Sequence, residues 1–413
     1  DGAFPVFLEC DGVSADIEAT GKCLSALGAG VRFREDGIGI RPLRTRESLP
    51  ADTAPDSPRR LYCGESGSTL RFLLPLAGAL GADAVFHREG RLPARPLFPL
   101  DALLRAHGMV IEPDGRLLFA SGQLRPGAYR IPGNISSQYI TGLLFALPLL
   151  PGDSTLAVTD RIESADYIAI TEEVLRDAGI RFGKEADGRL YRIPGNQRYG
   201  LDGRIPVERD WSGAAFPLCL GALSPQGVTV PGLNLRSSQG DRRILEILRA
   251  FGAQVSVRPE GALHRVTVSG GPLSGITLDA SPVPDLVPVI SVVAAAAHGT
   301  TRITHAERLR IKESDRIAST AALLRAIGTD VEERPDGLVI RGQGRDPGAF
   351  PGKGTASFPS PLRVDPANDH RIAMAAAVAA SFAPCPVTVA GAECVRKSFP
   401  DFWEKYASLQ GGS

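Results

Sequence analysis

Three short segments place glycines, hydroxyl groups and charged side chains where a long apolar run begins. They are residues 64–71 (Gly-Glu-Ser-Gly-Ser-Thr-Leu-Arg), 133–138 (Gly-Asn-Ile-Ser-Ser-Gln) and 369–371 (Asp-His-Arg). The first turn of a helix exposes unpaired N–H groups and the positive end of the helix dipole, which favour a bound phosphate or carboxylate. Each segment alone is better explained by ordinary N-capping. Three of them on similar helices favour a shared anion site.

Basic side chains near these segments support that interpretation. They are Arg95, Lys312, Arg316, Arg371 and Lys397. An arginine fork can pair with phosphate or carboxylate through two hydrogen bonds, although most Lys and Arg side chains are solvated surface charge. Two carboxylates, Asp285 and Glu313, stand in basic or apolar surroundings. Either could act as a general acid or base, and a structural salt bridge with Lys312 or Arg316 is an equally good alternative.

The elements that would position these residues form an internal repeat. An amphipathic helix, a strand, a turn that is usually Asp-Gly and a second strand recur five times; the helices end at Gly28, Gly108, Gly179, Gly252 and Gly328. Glycine suits a left-handed helix C-cap, and Asp-Gly suits a tight hairpin. A second kind of helix is apolar on nearly every side and must be buried; it begins near Ser68, Gln138, Ser212, Asp285 and His370. The repeat predicts an α/β protein built from modules of roughly 70–80 residues.

Counting these modules predicts six, arranged as two similar domains of three. The boundary between the first three modules and the last three falls near residues 205–210, which gives predicted domains of 1–207 and 208–413. The helix that ends at Gly28 has no buried helix before it, and the chain opens at Asp1 rather than at methionine. We therefore expect the first module to be truncated and a further segment to precede residue 1.

The composition argues against several classes of protein. Over 413 residues, 46 basic side chains balance 46 acidic ones, so nothing global indicates nucleic acid or an anionic membrane as a partner. The six cysteines and six histidines show no CxxC pair and no HExxH spacing, which argues against a zinc site or a disulfide framework. The longest apolar stretch, residues 286–297, is too short to span a bilayer. We expect a cytoplasmic enzyme with reduced thiols.

At these motifs the chain resembles the shikimate-pathway enolpyruvyl transferases (3-phosphoshikimate 1-carboxyvinyltransferases), from about Ser14 to Leu409. The segments Gly-Glu-Ser-Gly-Ser-Thr-Leu-Arg, Ser-Ser-Gln, Lys-Glu-Ser-Asp-Arg-Ile, Asn-Asp-His-Arg-Ile-Ala-Met and Lys-Ser-Phe-Pro occur in the family's order. The resemblance implies two domains of three βαβαββ modules with buried parallel helices, an inside-out α/β barrel, closing on substrate at a cleft. It also implies a monomer that needs no metal and no organic cofactor.

The same resemblance implies a reaction and assigns each candidate residue a role in it. The enolpyruvyl group of phosphoenolpyruvate would pass to the 5-hydroxyl of shikimate-3-phosphate, with release of phosphate. Shikimate-3-phosphate would be held by Ser136, Ser137, Gln138, Ser164, Tyr167, Asp285 and Lys312. Phosphoenolpyruvate would be held by Gly67, Arg95, Gln138, Arg316, Arg371 and Lys397. The catalytic set would be Asp285, Lys312, Glu313 and Lys397, supported by Ser68, Arg71, Asp369 and His370. Glu313 would protonate the enol methylene, and Asp285 or Lys312 would handle the attacking hydroxyl.

The chain departs from the family pattern in three places. The family's P-x-x-K-S-x-x-x-R segment is absent, and it normally supplies a lysine to phosphoenolpyruvate and a serine and an arginine to the other substrate. We therefore expect the chain alone to be nearly inactive unless that segment is supplied. Glu65 stands where the family usually has asparagine. Arg308 stands at a position that is often asparagine at the shikimate-phosphate site, which puts that contact in doubt.

Two other functions compete with this interpretation. The UDP-N-acetylglucosamine enolpyruvyl transferases share the fold, but their loop cysteine would fall near Gly90, and no cysteine lies between Cys63 and Cys219. The Ser-Ser-Gln and Lys-Glu-Ser-Asp-Arg signatures also favour shikimate-3-phosphate. A non-catalytic remnant that binds a ligand or a partner chain is the second alternative, and the absent segment is the feature that favours it.

Overall fold

The computed structural model describes residues 5–43, 57–344 and 361–410. The chain divides into two compact units, Asp1–Val207 (unit 1) and Glu208–Ser413 (unit 2). Within the described ranges, no helix combines the length and the apolar character that crossing a membrane requires. The same ranges contain no group of three or more His, Cys, Asp and Glu side chains placed to hold a metal ion.

Unit 1 alternates strands and helices along the chain. Its strands are β1 (Val6–Glu9), β2 (Gly30–Arg34), β3 (Gly37–Arg41), β4 (Arg59–Gly64), β5 (Ala84–Arg88), β6 (Val110–Asp114), β7 (Leu117–Ser121), β8 (Ala128–Pro132), β9 (Ser154–Thr159), β10 (Gly183–Lys184), β11 (Leu190–Ile193) and β12 (Gly203–Pro206). Its α-helices are α1 (Ala15–Ala26), α2 (Gly67–Leu80), α3 (Leu100–Ala106), α4 (Ser137–Ala146) and α5 (Ala165–Asp177), with 3-10 turns at Leu92–Ala94 and Leu147–Leu149. The strands form three sheets, in the orders β12-β1-β3-β2, β4-β5-β7-β6 and β10-β11-β9-β8.

Unit 2 repeats the same kinds of element. Its strands are β13 (Val228–Leu233), β14 (Gln254–Glu260), β15 (Leu263–Ser269), β16 (Thr277–Asp279), β17 (Thr300–Thr304), β18 (Asp330–Arg334), β19 (Gly337–Arg341), β20 (Leu362–Val364) and β21 (Val387–Val389). Its α-helices are α6 (Trp211–Ala222), α7 (Ile244–Phe251), α8 (Val287–Ala296), α9 (Arg316–Ala326), α10 (His370–Ala380) and α11 (Phe402–Gln410). Short 3-10 helices lie at Gly240–Arg243, Pro284–Leu286, Glu307–Ile311 and Ala392–Lys397. The described strands form sheets β13-β15-β14, β16-β17-β19-β18 and β20-β21.

One arrangement recurs in both units. Strands β4 and β5 are parallel and are joined through α2; α3 then leads into the antiparallel hairpin β6–β7. The same order joins β8 to β9 through α4 and β16 to β17 through α8. A parallel pair needs such a crossover, and a helix provides it. The α/β fold expected from the repeat is confirmed.

The helices expected to be buried all round are mostly buried, and one of them is buried completely. Every residue of α8 is buried, as its uniformly apolar sequence requires.

The hairpin turns that follow the amphipathic helices contain glycine for two different reasons. Gly115 has φ of +52°, a left-handed conformation that side chains with a Cβ disfavour. Gly337 is not left-handed, but a Cβ there would overlap the backbone oxygen of Ile303 on the neighbouring strand.

Candidate active site

Unit 2 gathers three carboxylates around one buried guanidinium. Arg316, the first residue of α9, is only 1% exposed. Its Nε donates to Asp369 Oδ2 at 2.8 Å, its Nη1 to Asp285 Oδ1 at 2.6 Å and its Nη2 to Glu313 Oε2 at 2.8 Å. Each nitrogen therefore has a carboxylate partner, so burying this charge does not leave it unpaired. The structural salt bridges considered for Asp285 and Glu313 are present.

Three further cations lie around the same carboxylates. The Nζ of Lys312 lies 3.7 Å from Asp285 Oδ1, and the Nη2 of Arg371 lies 3.7 Å from Asp285 Oδ2. The Nζ of Lys397 lies 3.4 Å from Glu313 Oε1. These side chains are 10–22% exposed, unlike that of Arg316. Among the residues that the structure describes, four cations thus face three carboxylates. While Lys312 keeps its proton, this leaves an excess of positive charge that an anionic ligand can neutralise.

The starts of three helices bring these residues together. Asp285 lies in the 3-10 helix that leads into α8, and Glu313 lies three residues before the first residue of α9. Asp369 is the N-cap of α10 and accepts a 3.0 Å hydrogen bond from the backbone N–H of Arg371. Asp369 also accepts a 3.0 Å bond from Ser314 Oγ, a residue that the sequence analysis did not single out. The capping interpretation is therefore correct for Asp369, which also pairs with Arg316.

The electrostatic environment gives Asp285 and Lys312 different protonation behaviour. Burial raises the pKa of Asp285, but the charges of Arg371, Lys312 and Arg316 outweigh it and hold the pKa well below its ordinary value. Burial lowers the pKa of Lys312 to about 8, although Asp285 opposes this. Arg308, in the preceding 3-10 helix, lowers the pKa of Lys312 further. Asp285 is thus a fixed negative charge, and Lys312 gains or loses a proton near neutral pH.

His370 is a buried neutral base behind this cluster. It is 5% exposed, and its Nδ1 lies 3.8 Å from Asp369 Oδ1. Burial lowers the pKa of His370 to about 3, and Arg371 lowers it further against the opposing charge of Asp369. An imidazole in the unfolded chain has a pKa of about 6.5. At pH values between these two pKa values, His370 binds a proton in the unfolded chain but not in the folded chain.

This difference predicts an acid-sensitive unit 2. Stability is fully present above about pH 6.5 and is lost as the pH falls toward 3, by up to roughly 5 kcal/mol. Replacing His370 by asparagine removes the titrating group, so the variant's stability should fall less steeply over the same range. Both tryptophans, Trp211 and Trp403, lie in unit 2, so urea unfolding followed by tryptophan fluorescence measures this unit. Identical pH dependence in the two proteins contradicts the prediction.

Unit 1 carries a second set of candidate residues at the starts of α2 and α4. Arg71 is 5% exposed; its Nη1 donates to Gln138 Oε1 at 2.8 Å, and its Nη2 donates to the backbone oxygen of Pro96 at 3.0 Å. The hydroxyl of Tyr139 donates to the same oxygen at 2.7 Å. A Cβ on Gly67 would lie 2.7 Å from Arg71 Nη1 and 2.9 Å from Arg95 Nη1. Glycine therefore lets two guanidinium groups approach the first turn of α2.

Helix capping and the candidate site use the same residues in this unit. Ser136 is the N-cap of α4 and accepts from Gln138 N at 3.3 Å. Ser68 Oγ lies 3.1 Å from the Oγ of Ser66, the N-cap of α2. Ser137 is 6% exposed. The hydroxyls thus fix the helix starts on which the anion-binding interpretation depends.

The start of α5 lies beside the start of α4. The N–H of Glu163 donates to Gly133 O at 3.2 Å, joining the two loops that lead into these helices. Ser164 is 4% exposed and has φ of +52°, a conformation uncommon for a residue with a Cβ. Tyr167, in the first turn of α5, is 38% exposed. Unit 1 therefore places the Ser-Ser-Gln segment close to Ser164.

Two of the three departures from the family pattern, Glu65 and Arg308, are residues that the structure places. A Cβ on Gly90 would overlap the carboxylate of Glu65, so this side chain lies directly against the turn that follows β5. Arg308 is half-buried in the 3-10 helix Glu307–Ile311, within electrostatic reach of Lys312. Pro96 contacts a candidate residue, and Asp241 acts on candidate residues electrostatically. Neither was found from the sequence, because both stand in segments typical of ordinary turns.

The close approach of α2 and α4 makes a prediction about stability. A Cβ on Gly142, in α4, would overlap the backbone oxygen of Arg71 in α2. Because neither backbone can move independently, we expect Gly142→Ala to destabilise unit 1 by about 1–3 kcal/mol. Gly78→Ala is the matched control, because the atoms it meets belong to the flexible side chain of Met109. Hydrogen exchange of the α2 and α4 amides measures both, and an equal loss of protection contradicts the prediction.

The sequence matches a family model described as EPSP synthase (3-phosphoshikimate 1-carboxyvinyltransferase) over residues 13–406. It is 40% identical over 403 residues to the 3-phosphoshikimate 1-carboxyvinyltransferase of Clostridium kluyveri, an alignment that covers 96% of this chain and 87% of that protein. The protein of the same name from Clostridium beijerinckii is 37% identical over 401 residues, covering 96% and 88% of the two chains.

Solved structures show the same likeness. EPSP synthase from Acinetobacter baumannii superposes with a TM-score of 0.75 at 26% identity, over 98% of this chain and 90% of that one. The enolpyruvyl transferase NikO from Streptomyces tendae gives a TM-score of 0.71 at 18% identity, over 99% and 89% of the two chains. The second comparison shows a shared fold only.

Proposed function

The chain belongs to the EPSP synthase (3-phosphoshikimate 1-carboxyvinyltransferase) family, and from that premise we propose which of its residues carry out the reaction. The chain is a carboxyvinyl transferase of aromatic amino acid biosynthesis. It transfers the enolpyruvyl group of phosphoenolpyruvate to the 5-hydroxyl of shikimate-3-phosphate and releases phosphate. One observation carries the residue assignment: four cations surround Asp285 and Glu313 in unit 2. Anion binding and acid–base groups are thus present in a single cluster.

Phosphoenolpyruvate is proposed to bind to the cationic residues of both units. In unit 2, Arg371 and Lys397 are partly exposed and can exchange a carboxylate partner for the substrate. In unit 1, Gln138 is the second residue of α4, and the guanidinium of Arg95, which follows the 3-10 turn Leu92–Ala94, lies near the first residue of α2. Free N–H groups and the dipole of each helix start add to the attraction. Gly67 keeps the backbone open to Arg95. Fixed positive groups of this kind stabilise the charge that develops in a transition state.

Arg316 is placed differently from the other cations. Its guanidinium is 2% exposed, and every nitrogen already donates to a carboxylate. We propose that it reaches phosphoenolpyruvate only by releasing a bond with Asp285 or Glu313. Until then, its contribution is to hold these two carboxylates at fixed positions, which preorganises the acid–base groups.

Shikimate-3-phosphate is proposed to bind to hydroxyl and amide groups of unit 1 and to the Asp285–Lys312 pair of unit 2. The unit 1 residues are Ser136, Ser137, Gln138, Ser164 and Tyr167. The neighbouring starts of α4 and α5 support this assignment, because they place several hydrogen-bond donors together. Donors at a helix start suit the phosphate of the substrate.

The proposed chemistry proceeds by addition followed by elimination. Glu313 gives a proton to the methylene carbon of phosphoenolpyruvate while the 5-hydroxyl oxygen attacks the adjacent carbon, forming a tetrahedral intermediate. The carbon–oxygen bond to phosphate then breaks, and the Glu313 carboxylate takes back a proton from the new methyl group, which forms the enol ether of the product. Lys397, 3.4 Å from Glu313, stabilises that carboxylate after it has given up its proton.

Lys312 is proposed to remove the proton of the attacking hydroxyl. The sequence left this role to Asp285 or Lys312. A general base works best when its pKa lies near the working pH, which the pKa of Lys312, lowered to about 8, satisfies. Asp285 has a pKa well below its ordinary value, so its conjugate acid is not populated at neutral pH. We assign Asp285 to orienting Lys312 and the substrate hydroxyl.

We also propose that units 1 and 2 are domains of three modules each and that the enzyme works as a monomer in the cytoplasm. The three sheets described in each unit support the module assignment. The six free cysteines support a reducing compartment. No nucleic acid or membrane partner is proposed, because the balanced charge offers no general basis for one.

The test is an acceptor comparison with the purified protein. Phosphate release and product mass are followed with phosphoenolpyruvate plus shikimate-3-phosphate, and separately with UDP-N-acetylglucosamine. We expect turnover only with shikimate-3-phosphate. Turnover with the nucleotide sugar instead establishes the rival acceptor. Binding of either substrate without phosphate release from a folded protein establishes a non-catalytic remnant.

A further inference from the structure

A second buried carboxyl lies beside the cationic cluster of unit 2. Asp241, in the 3-10 helix Gly240–Arg243, is 4% exposed. The hydroxyl of Ser212, at the start of α6, donates a hydrogen bond to Asp241 Oδ2. Helix α6 packs against this 3-10 helix and also against the 3-10 helix that carries Asp285. The contacts of α6 therefore bring Asp241 to the side of the cluster where Asp285 lies.

Asp241 is surrounded by charges of both signs. The charges that act on it from neighbouring elements are Asp285, Arg371 and Asp210, the last of which is the N-cap of α6. Its own 3-10 helix carries Arg242 and Arg243. Among the described residues, no Lys or Arg nitrogen lies within ion-pair distance of its carboxyl group. Within the described part of the chain, Asp241 thus lacks the direct cation partners that Asp285 has.

The pKa values of the two carboxyl groups are consequently shifted in opposite directions. Burial raises the pKa of Asp241 to about 7, and Asp285 raises it further, while Arg371 and the Ser212 hydroxyl oppose the rise. Asp285 has a pKa well below its ordinary value, because cations surround it. Neighbouring groups whose environments push their pKa values apart are typical of acid–base sites.

We propose that Asp241 is a positioning residue for Arg371 that controls how strongly this arginine holds phosphoenolpyruvate. When Asp241 is neutral, the charge of Arg371 is shared only between Asp285 and the anionic substrate. When Asp241 is ionised, its negative charge also acts on Arg371 and repels the substrate. This inference rests on the proposed function, in which Arg371 contacts phosphoenolpyruvate.

The sign of the effect follows from the direction of the titration. Below about pH 7 Asp241 carries its proton, and phosphoenolpyruvate binds with full affinity. As the pH rises through 7 the proton is lost, and the dissociation constant of phosphoenolpyruvate increases. By linkage, bound phosphoenolpyruvate makes ionisation of Asp241 harder by the same factor. The effect is expected to be about tenfold, the factor that corresponds to one pKa unit of interaction.

The experiment compares the wild-type enzyme with Asp241→Asn between pH 6 and 9. Asparagine keeps an acceptor for the Ser212 hydroxyl and is permanently neutral. Phosphoenolpyruvate itself titrates in this range, so the quantity measured by calorimetry is the ratio of the wild-type dissociation constant to that of the variant. We expect a ratio near 1 at pH 6 that rises to about ten at pH 8–9. A ratio that is flat with pH overturns the inference.

Ser212→Ala is the second variant, and it keeps the carboxyl group. The lost hydroxyl bond had favoured the ionised form, so the rise in the dissociation constant should move to higher pH. If the dissociation constant of phosphoenolpyruvate rises at the same pH in this variant as in the wild type, Asp241 is not the group whose ionisation causes the rise. Phosphate release with shikimate-3-phosphate is measured in parallel. Its absence in the wild type means that the proposed function fails, whereas turnover with a flat ratio means that only the role of Asp241 fails.

Discussion

Glu313→Gln is expected to lower kcat by about 10²–10⁴-fold, the range that general acid–base catalysis contributes. Glutamine has nearly the same shape as glutamate and retains an oxygen that can accept from Arg316 Nη2, which donates to Glu313 at 2.8 Å. What it loses is the ability to give a proton to the methylene carbon. The KM values of both substrates should change much less than kcat. Initial rates of phosphate release measure the effect.

The matched control is Glu172→Gln in unit 1. Glu172 is also buried, 5% exposed, and accepts from Lys184 Nζ and the Tyr191 hydroxyl at 2.7 Å each. It belongs to neither set of candidate residues, so its substitution should reduce the stability of unit 1 and leave kcat within about twofold. If Glu313→Gln behaves like this control, Glu313 forms a structural salt bridge and nothing more.

Asp285→Asn has the second large effect that we expect, and it changes the shape of the pH profile as well as the rate. The negative charge of Asp285 raises the pKa of Lys312, which burial lowers to about 8. Without that charge the pKa of Lys312 falls further, and Lys312 loses its proton at lower pH. The pH at which activity rises, reporting deprotonation of the proposed base, should therefore move to a lower value.

The rate at the new optimum should also fall. Asp285 accepts from Arg316 Nη1 at 2.6 Å and lies 3.7 Å from both Lys312 and Arg371, so its loss leaves three cations without their common partner. We expect kcat/KM to fall by about 10²–10³-fold, the cost of losing one preorganised electrostatic contact. Asp279→Asn serves as the control, since that carboxylate precedes the same helix but is 48% exposed. An unchanged pH profile with reduced rate contradicts the coupling of Asp285 to Lys312.

Most of the fold could be predicted from the sequence because the repeat is strong and its signals are local. The expected starts of the buried helices at Ser68, Gln138, Ser212 and His370 lie within one residue of the observed ones. The helix expected at Asp285 begins instead at Val287, after a 3-10 turn. Proline at the first position suits such a turn, and the period of apolar residues cannot distinguish a 3-10 start from an α-helical one.

The candidate site was predictable as a set of residues but not as a set of partners. The Arg316–Asp369 pair joins residues that are 53 positions apart, and no local pattern indicates which carboxylate meets which cation. The burial of Arg316 was also unforeseen, since arginine is usually exposed. Asp241 follows Gln-Gly in a segment typical of a turn. Its importance comes from neighbours that are distant in the chain.

Strand β1 has a consequence for the order in which the protein is made. It lies between β3, which follows within about thirty residues, and β12, where Val6 pairs with Gly203. During translation β1 can join β3 early, but its other edge waits for almost the whole of unit 1. At ordinary synthesis rates the wait is roughly 10–40 s. An unpaired strand edge is a template for association with other chains, so this edge of β1 stays open to such association until β12 has been made.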